Sequence, residues 1–309
     1  MNSYVGNGEK WGFNGVRSLA SILSPKQTEE GSNWYAGTAD AIYENLDWLA
    51  SQNPDYVLIL SGDHIYSCTY NEMLKKHIES GADCTISAYP VDWKEASRFG
   101  LIIANHEDEI TSFQEKPKNP LSNLASMGIY IFTYSVLRDY LLKDHMIDDS
   151  DHDFGKNIIP TMLADGKKLV TYTYNGYWRD VGTISSLHKA NMDLLLSNKD
   201  GTNLYTVQGE NKILSEDKHS VPQYIGPKAK VKDSLVNQGA QVYGVVEHSV
   251  ISGETLIEEG AHVKNSVIMS GARIAKGAKV NNAIVAPGTL VEAKEVIKPD
   301  EGEEIALIS

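Results

Sequence analysis

Three short strings in this chain combine residue types that phosphoryl chemistry uses. Ser61-Gly62-Asp63-His64 follows the apolar run Tyr56-Val57-Leu58-Ile59-Leu60. A carboxylate just past the C-terminal end of a strand lies where α/β sheets bind ligands, and a glycine beside it lets a ligand approach the backbone. Asp63 is therefore placed to hold a divalent ion such as Mg²⁺, which takes one or two carboxylates together with phosphate oxygens. The same string also suits an Asx turn that closes the strand. A second carboxylate, Asp180, sits in Gly176-Tyr177-Trp178-Arg179-Asp180-Val181-Gly182-Thr183. It reads as a second metal ligand, as a turn residue, or as the ion-pair partner of Arg179. Two strand-end aspartates on one α/β sheet favour a metal clamp. The third string is Phe113-Gln114-Glu115-Lys116-Pro117. A residue before proline avoids the helical region, so Lys116 is expected to be extended, its ammonium a point charge for a phosphate. Glu115 can accept hydrogen bonds from ligand hydroxyls. A charged strand end in a solvated loop is the competing reading of this pair.

Other candidates carry less. Asp153-Phe154-Gly155-Lys156 looks like the magnesium-binding triplet of kinases, but no HRD loop accompanies it; it reads as the start of a helix before Ile158-Ile159-Pro160. The nine histidines show no metal-ligand spacing, and His64 alone stands beside a candidate site. No GxSxG, HExxH or Walker A pattern occurs. The two cysteines, Cys68 and Cys84, form neither a CxxC pair nor a disulfide framework and read as structural thiols.

These residues need a scaffold, and the patterns supply one. Residues 1–195 alternate strands and helices. Tyr56 to Leu60 is continuously apolar, as in a central strand covered on both faces. Thr38 to Ala50 carries the helical stripe Ala39, Ile42, Leu46, Leu49 with Thr38 as its cap. A helix over Tyr70 to Ser80 and a strand over Cys84 to Tyr89 complete a strand–helix–strand order that predicts a parallel unit. Gly128 to Phe132 reads as a strand and Tyr134 to Leu142 as a helix. Residues 196–223 are polar and aperiodic, a connecting segment.

From 224 to 309 the pattern changes again. Ala-x-Val/Ile recurs at Ala229, Ala240, Ala261, Ala272 and Ala278. A second series is headed by Ser234, Ser249, Ser266 and Ala283, at intervals close to three hexapeptides. Small corner residues and inward aliphatics predict a left-handed parallel β-helix, each coil burying its apolar side on the next.

The totals set limits. A chain of 309 residues with 41% hydrophobic and 22% charged residues is of globular composition. Its net charge of −13 excludes a nucleic-acid partner, whose phosphates need a basic surface, but not a nucleotide substrate. No window has the apolar length of a membrane helix and no signal peptide opens the chain, so a cytoplasmic protein is expected.

Taken as an ordered set, NWYAGTADAIYEN (33–45), YVLILSGDHIY (56–66), EASRFG (95–100), EKP (115–117), ASMGIYIF (125–132), DFGKNIIP (153–160), YWRDVGT (177–183) and NSVIMSGARI (265–274) resemble the bacterial ADP-glucose pyrophosphorylase (glucose-1-phosphate adenylyltransferase) family over nearly the whole chain. The resemblance implies transfer of AMP from ATP to α-D-glucose 1-phosphate, giving ADP-glucose and pyrophosphate for glycogen synthesis. It implies that Asp63 and Asp180 are metal-binding and catalytic, with Mg²⁺ as cofactor. Lys116 is then catalytic and, with Gly100, Glu115 and Ser126, binds glucose 1-phosphate. Trp34, Gly37 and Thr38 fall on the nucleotide side. The β-helix is expected to serve assembly and regulation, in a homotetramer or a heterotetramer with a regulatory paralogue. One departure stands out. The family's GGxGxRL phosphate loop has no counterpart here, and Tyr4-Val5-Gly6-Asn7-Gly8 resembles a segment well inside the usual catalytic domain. The expectation is an N-terminally truncated domain, inactive alone. The alternatives are a non-catalytic regulatory subunit, an acyltransferase, and a pyrophosphorylase of another base. The retained Asp63, Glu115, Lys116 and Asp180 argue against the first, and the motif-rich α/β half against the second.

Overall fold

The computed structural model describes residues 2–13, 18–24, 27–28, 31–32, 34–195 and 219–309. They form two compact units, one of Met1–Gly62 and Thr69–Asn175, the other of Asp63–Cys68 and Gly176–Ser309. Most of the connecting segment expected at 196–223 lies outside the described residues; 219–223 has no regular structure.

The first unit is built on a mixed six-stranded sheet. Its strands run in the order Ile110–Glu115, Gly100–Ala104, Leu124–Thr133, Cys84–Pro90, Leu169–Thr173, with Tyr56–Ile59 also on Leu124–Thr133. The ten-residue strand Leu124–Thr133 is the spine, rich in aliphatic and aromatic residues and almost wholly buried. It is antiparallel to Tyr56–Ile59, Cys84–Pro90 and Gly100–Ala104; Cys84–Pro90 and Leu169–Thr173 are parallel. The expected parallel orientation of the strand–helix–strand unit holds, without direct pairing of its two strands. Tyr56–Ile59 and Cys84–Pro90 do run the same way, but the spine lies between them, and nothing local to either strand reveals that insertion.

Tyr56–Ile59 is also not covered on both faces. Val57 and Ile59 pack on the core, whereas Tyr56 and Leu58 are about two-fifths exposed, at 39% and 38%. A continuous apolar run carries no alternation to betray this. Helix Asn71–Ser80 lays Met73 and His77 on the sheet, and the His77 ring nitrogens meet the hydroxyls of Thr85 at 2.8 Å and Thr133 at 3.1 Å. Helix Tyr134–His145 follows the spine directly and buries Leu137 and Leu141, one turn apart. The helix expected from Thr38 to Ala50 is broken into Asp40–Tyr43 and Leu46–Gln52, and Thr38 caps neither.

The second unit holds a short antiparallel ladder of His64–Tyr66 with Trp178–Asp180, the helix Ile184–Asp193, and a parallel β-solenoid. The solenoid has three faces, each a parallel sheet of five short strands. In-register stacks fill it: Val242, Ile257, Ile274, Val291 on one face and Val246, Val263, Val280, Ile297 on the next. The alanines of the Ala-x-Val/Ile series close the corners, fully buried at Ala240, Ala261, Ala272 and Ala278.

The third face differs, and the Ser-Val-Ile strings show why. Ile251, Ile268 and Val285 point inward, yet Val250, Val267 and Ile284 beside them are buried as well. Helix Ile184–Asp193 packs on this sheet at Ala283–Val285, and His188 Nε2 meets the Asn265 carbonyl at 2.8 Å. Serines run up the adjoining corner. The hydroxyl of Ser249 accepts from the Ser266 amide at 3.1 Å, and that of Ser266 accepts from the Ala283 amide at 3.2 Å. Each also donates to a carbonyl two residues back, at 2.7 Å and 2.6 Å. Buried polar groups are satisfied in this way without side chains larger than the corner admits.

Candidate functional site

Asp63, His64 and Asp180 come together at the end of the short ladder in the second unit. One ligand atom from each lies within 4.8 Å of the others. The ladder register explains the meeting: Asp180 sits directly opposite His64, and directly opposed residues project from the same face. The Val181 amide donates to the Asp63 carbonyl at 3.4 Å, drawing Asp63 to the same end. The aspartates therefore meet through this separate two-stranded ladder, not through the main sheet as the sequence led one to expect. Gly182 donates its amide to Asp180 Oδ1 at 2.8 Å, fixing one carboxylate oxygen. His64 Nε2 stands 3.6 Å from Asp63 Oδ1, and the ring packs edge-on against Trp178 with centroids 5.4 Å apart.

Arg179 is committed elsewhere, which removes the ion-pair reading of Asp180. Its Nε and Nη2 donate to Asp193 Oδ2 at 2.8 Å and 2.7 Å. The Tyr177 hydroxyl donates to the same oxygen at 2.7 Å, and its phenol is pushed up to about 12, by burial first and by this carboxylate second. Tyr177 stays a donor at any ordinary pH, so the knot holds. It ties the strand bearing Asp180 to the last residue of helix Ile184–Asp193. Thr183 starts that helix with a reciprocal Thr183–Ser186 capping box.

A second cluster lies in the first unit. Gly100 faces Glu115 across the Gly100–Ala104/Ile110–Glu115 hairpin. The Glu115 carboxylate is pressed between two glycines: a Cβ added at Gly155 would stand 2.5 Å from Oε2, and one at Gly100 would stand 2.8 Å from it. A side chain at either position would displace the Glu115 carboxylate, and at Gly100 the Phe113 ring as well. Burial raises the Glu115 carboxyl above its usual range; Lys116 pulls it down and Asp153 pushes it up. Lys116 Nζ is 3.7 Å from Glu115 Oε1 with its side chain two-thirds exposed.

Lys116 is not extended. Its φ is +43°, left-handed, where a non-glycine residue costs on the order of 1–2 kcal/mol. Its amide donates to the Phe99 carbonyl at 3.1 Å, carrying the hairpin one residue beyond the Gly100–Glu115 pair. That tertiary bond overrides the preference set by Pro117.

Asp153 organises the other side of this cluster. Its Oδ1 accepts from the amides of Gly155 at 2.9 Å and Lys156 at 3.1 Å, capping the turn Phe154–Ile158 that leads into helix Ile159–Ala164. The Thr38 hydroxyl donates to Asp153 Oδ2 at 2.8 Å and accepts from the Phe154 amide at 3.2 Å. Thr38 is thus a partner of this loop and not the cap of its own helix. Gly37 packs so closely that a Cβ would stand 2.2 Å from the Asp151 carbonyl. Trp34 is exposed. Ser126 is buried on the spine, and Tyr130 hydrogen-bonds to it, the Tyr130 phenol well raised by burial.

The structure therefore gathers Gly100, Glu115 and Lys116 around one carboxylate, and brings a carboxylate oxygen of Asp63 and one of Asp180 within 4.8 Å of each other. His64, which the sequence places beside Asp63, joins one cluster, and Asp153 and Gly155, read from the sequence as a helix start, join the other. For Asp153 and Gly155 the signal is the string DFG itself, which reads as a helix start and also is one.

Comparison with known proteins identifies the family. The model of the family described as Nucleotidyl transferase matches residues 1–197. The chain belongs to this family. A second model, GlmU-like, C-terminal hexapeptide, matches residues 219–306. Proteins named glucose-1-phosphate adenylyltransferase from Bacillus thuringiensis (strain Al Hakam), Bacillus anthracis and Bacillus mycoides are each 48% identical over 263 residues, which is 85% of this chain and 69% of theirs. A nucleotidyltransferase domain followed by a hexapeptide solenoid is thus shown by family and by fold. No helix among the described residues is long and apolar enough to cross a membrane. As a donor set, two carboxylates and an imidazole fit a divalent ion.

Proposed function

We propose that the chain serves transfer of AMP from ATP to α-D-glucose 1-phosphate, giving ADP-glucose and pyrophosphate for glycogen synthesis. The observation that carries this reading is the convergence of Asp63 and Asp180 in a member of a nucleotidyltransferase family whose similar members are named glucose-1-phosphate adenylyltransferase. A sugar phosphate is already a nucleophile, so no covalent intermediate is needed; alignment and charge neutralisation suffice. Asp63 and Asp180 would hold Mg²⁺, which when bound neutralises charge spreading on the transferred phosphate. Lys116 would meet the phosphate of the sugar. Glu115 would accept from its hydroxyls, its carboxylate held between Gly100 and Gly155. Ser126 would line the same pocket, and Trp34, Gly37 and Thr38 the nucleotide side. Residues 1–195 would be the catalytic domain and 224–309 a left-handed β-helix for assembly and regulation. A cytoplasmic tetramer, homomeric or with a regulatory paralogue, is the corresponding assembly.

The test is pyrophosphate release and ADP-glucose formation from glucose 1-phosphate with Mg²⁺ and ATP, run in parallel with UTP and dTTP. ATP-specific product supports the proposal; a preference for another nucleotide would replace the base. Calorimetric titration of glucose 1-phosphate separates a bound but unturned sugar phosphate from a missing site. Absence of both binding and turnover would overturn the reading.

A further inference from the structure

We infer that His152 is a positioning residue for both substrate sides of the first unit: its ring, pinned by Asp144, holds the loop 150–155, on which the segment 37–40 and the Glu115 carboxylate are both seated. This rests on the reading of Glu115 as a glucose 1-phosphate contact and of Gly37 and Thr38 as the nucleotide side, and adds the part that fixes them. The anchor is a carboxylate in an unfavourable place. Asp144 is buried in the last turn of helix Tyr134–His145, where burial and the helix dipole both oppose a negative charge. Two donors offset this. The Ser150 hydroxyl donates to Oδ1 at 2.7 Å, and His152 Nδ1 donates to Oδ2 at 2.7 Å. An ionised carboxylate only accepts, so Nδ1 carries the ring proton. The His152 amide in turn donates to the Ser150 hydroxyl at 3.0 Å and closes the turn. The His145 ring lies 6.1 Å from that of His152 and stacks at 3.9 Å on Tyr43, the last residue of helix Asp40–Tyr43.

The backbone shows what the anchor holds. His152 has a φ of +48°, left-handed, a region that residues other than glycine occupy at a cost. In this conformation its carbonyl accepts from the amides of Ala39 at 2.8 Å and Asp40 at 3.3 Å. Asp153 then returns to extended backbone with a φ of −117°. Its carboxylate takes the Thr38 hydroxyl on one oxygen and the Gly155 amide on the other. Gly155 lies against the Glu115 carboxylate. The strained residue makes the side chain necessary. Released from Asp144, residue 152 has no reason to stay left-handed, and its carbonyl turns away from Ala39 and Asp40. One loop sets both segments, and one side chain sets the loop.

The experiment is amide hydrogen exchange on the full chain, read at residues 37–43 and, as a control, in the spine Leu124–Thr133, beside calorimetric titration of glucose 1-phosphate. His152→Gly accepts the left-handed backbone freely, so it removes the hydrogen bond to Asp144 without adding strain. In this variant exchange at 37–43 should rise about tenfold, the effect of one lost hydrogen bond to a charged group, with the spine exchanging as in the parent. Glucose 1-phosphate affinity should fall by on the order of tenfold, since small displacements of positioning groups are costly. His152→Asn tolerates the same backbone and can offer its side-chain amide where Nδ1 stood, so it should stay close to the parent in both measurements. Unchanged exchange at 37–43 in His152→Gly would overturn the clamp. Faster exchange in the spine as well marks a general loss of stability and overturns the positioning role. A His152→Asn variant as loose as His152→Gly removes the bond to Asp144 from the argument and overturns it too. A loosened 37–43 with unchanged sugar affinity overturns the link to Glu115. A parent chain that binds no glucose 1-phosphate overturns the reading of the sugar site itself, and exchange at 37–43 then decides the clamp alone.

Discussion

At the residue scale the two clusters are built for different tasks, and substitutions should separate them. Asp63 is two-thirds exposed and Asp180 is held by one backbone amide, so neither supports the core. Asp63→Asn and Asp180→Asn should each leave the melting temperature nearly unchanged while lowering turnover by at least about a hundredfold, comparable to loss of one preorganised electrostatic group. A melt that collapses along with activity would show that the carboxylates are structural. Glu115 should behave in the opposite way. Its carboxyl titrates above the usual value of 4.5 because burial disfavours the charge. Just above that value the folded chain therefore binds more protons than the unfolded chain, so stability falls as pH rises through the window. At neutral pH the buried charge is a standing cost. Glu115→Gln should melt higher than the parent at pH 7, and the advantage should disappear on acidification below the ordinary carboxylate range. The same variant should bind glucose 1-phosphate roughly ten- to a hundredfold more weakly, the loss of a charged hydrogen-bond acceptor. Calorimetry beside melts from pH 4 to 8 checks both halves. An unchanged affinity would remove Glu115 from the sugar site.

At the element scale the solenoid stands on repetition, and its corners carry more than their sequence suggests. Ser266 is fully buried; its hydroxyl takes the Ala283 amide from the next coil and gives to the Lys264 carbonyl. Ser266→Ala leaves a buried amide without its acceptor and should cost about 1–3 kcal/mol in urea unfolding. Ser234→Ala, at a half-exposed end of the same row, should cost distinctly less, since water can replace the hydroxyl. Equal losses at the two positions would mean that the ladder contributes nothing specific. Repetition is also why the solenoid was legible in the sequence: each coil presents the same demand, so Ala240, Ala261 and Ala278 repeat the same answer. The α/β half was legible only locally. Helix Asn71–Ser80 and strand Cys84–Pro90 declare themselves, but the insertion of Leu124–Thr133 between two strands is a long-range pairing that no local period records. The left-handed Lys116 and the partner of Thr38 were hidden for the same reason. Each is set by tertiary hydrogen bonds, Lys116 to Phe99 and Thr38 to Asp153 and Phe154. Asp63 and Asp180 could be picked out as strand-end carboxylates and His64 as the neighbour of the first, whereas their meeting with Asp180 is set by the register of a ladder between segments distant in sequence.

At the scale of the whole molecule, a helix of the nucleotidyltransferase match is fastened onto the solenoid within one compact unit. Helix Ile184–Asp193 packs on the solenoid strand Ala283–Val285, with Ser185 donating to Glu304 at 2.7 Å at its start. At its other end Asp193 holds Arg179, the neighbour of Asp180, so docking of this helix and placement of that carboxylate are mechanically linked. His188 sits in the middle of the contact, 4% exposed, its Nε2 donating to the Asn265 carbonyl. Its pKa is lowered from 6.5, by burial first; the Asn265 carbonyl opposes this, and the charges of His248 and Lys189 reinforce it. The neutral ring is therefore the form that belongs in the folded contact. The unfolded chain binds the proton more readily, so stability contributed here is present above about pH 6.5 and is lost as pH falls through that value. Urea unfolding followed from pH 8 down to 5 should show this loss in the parent chain. His188→Gln can keep a donor toward Asn265 but cannot titrate. It should start somewhat less stable at pH 8 and show a shallower decline between pH 7 and 5. Parallel declines in the two proteins would place the acid sensitivity elsewhere in the chain. A shallower decline accompanied by a flatter acid limb in the metal affinity of Asp63 and Asp180 would show that the contact with the solenoid reaches the site.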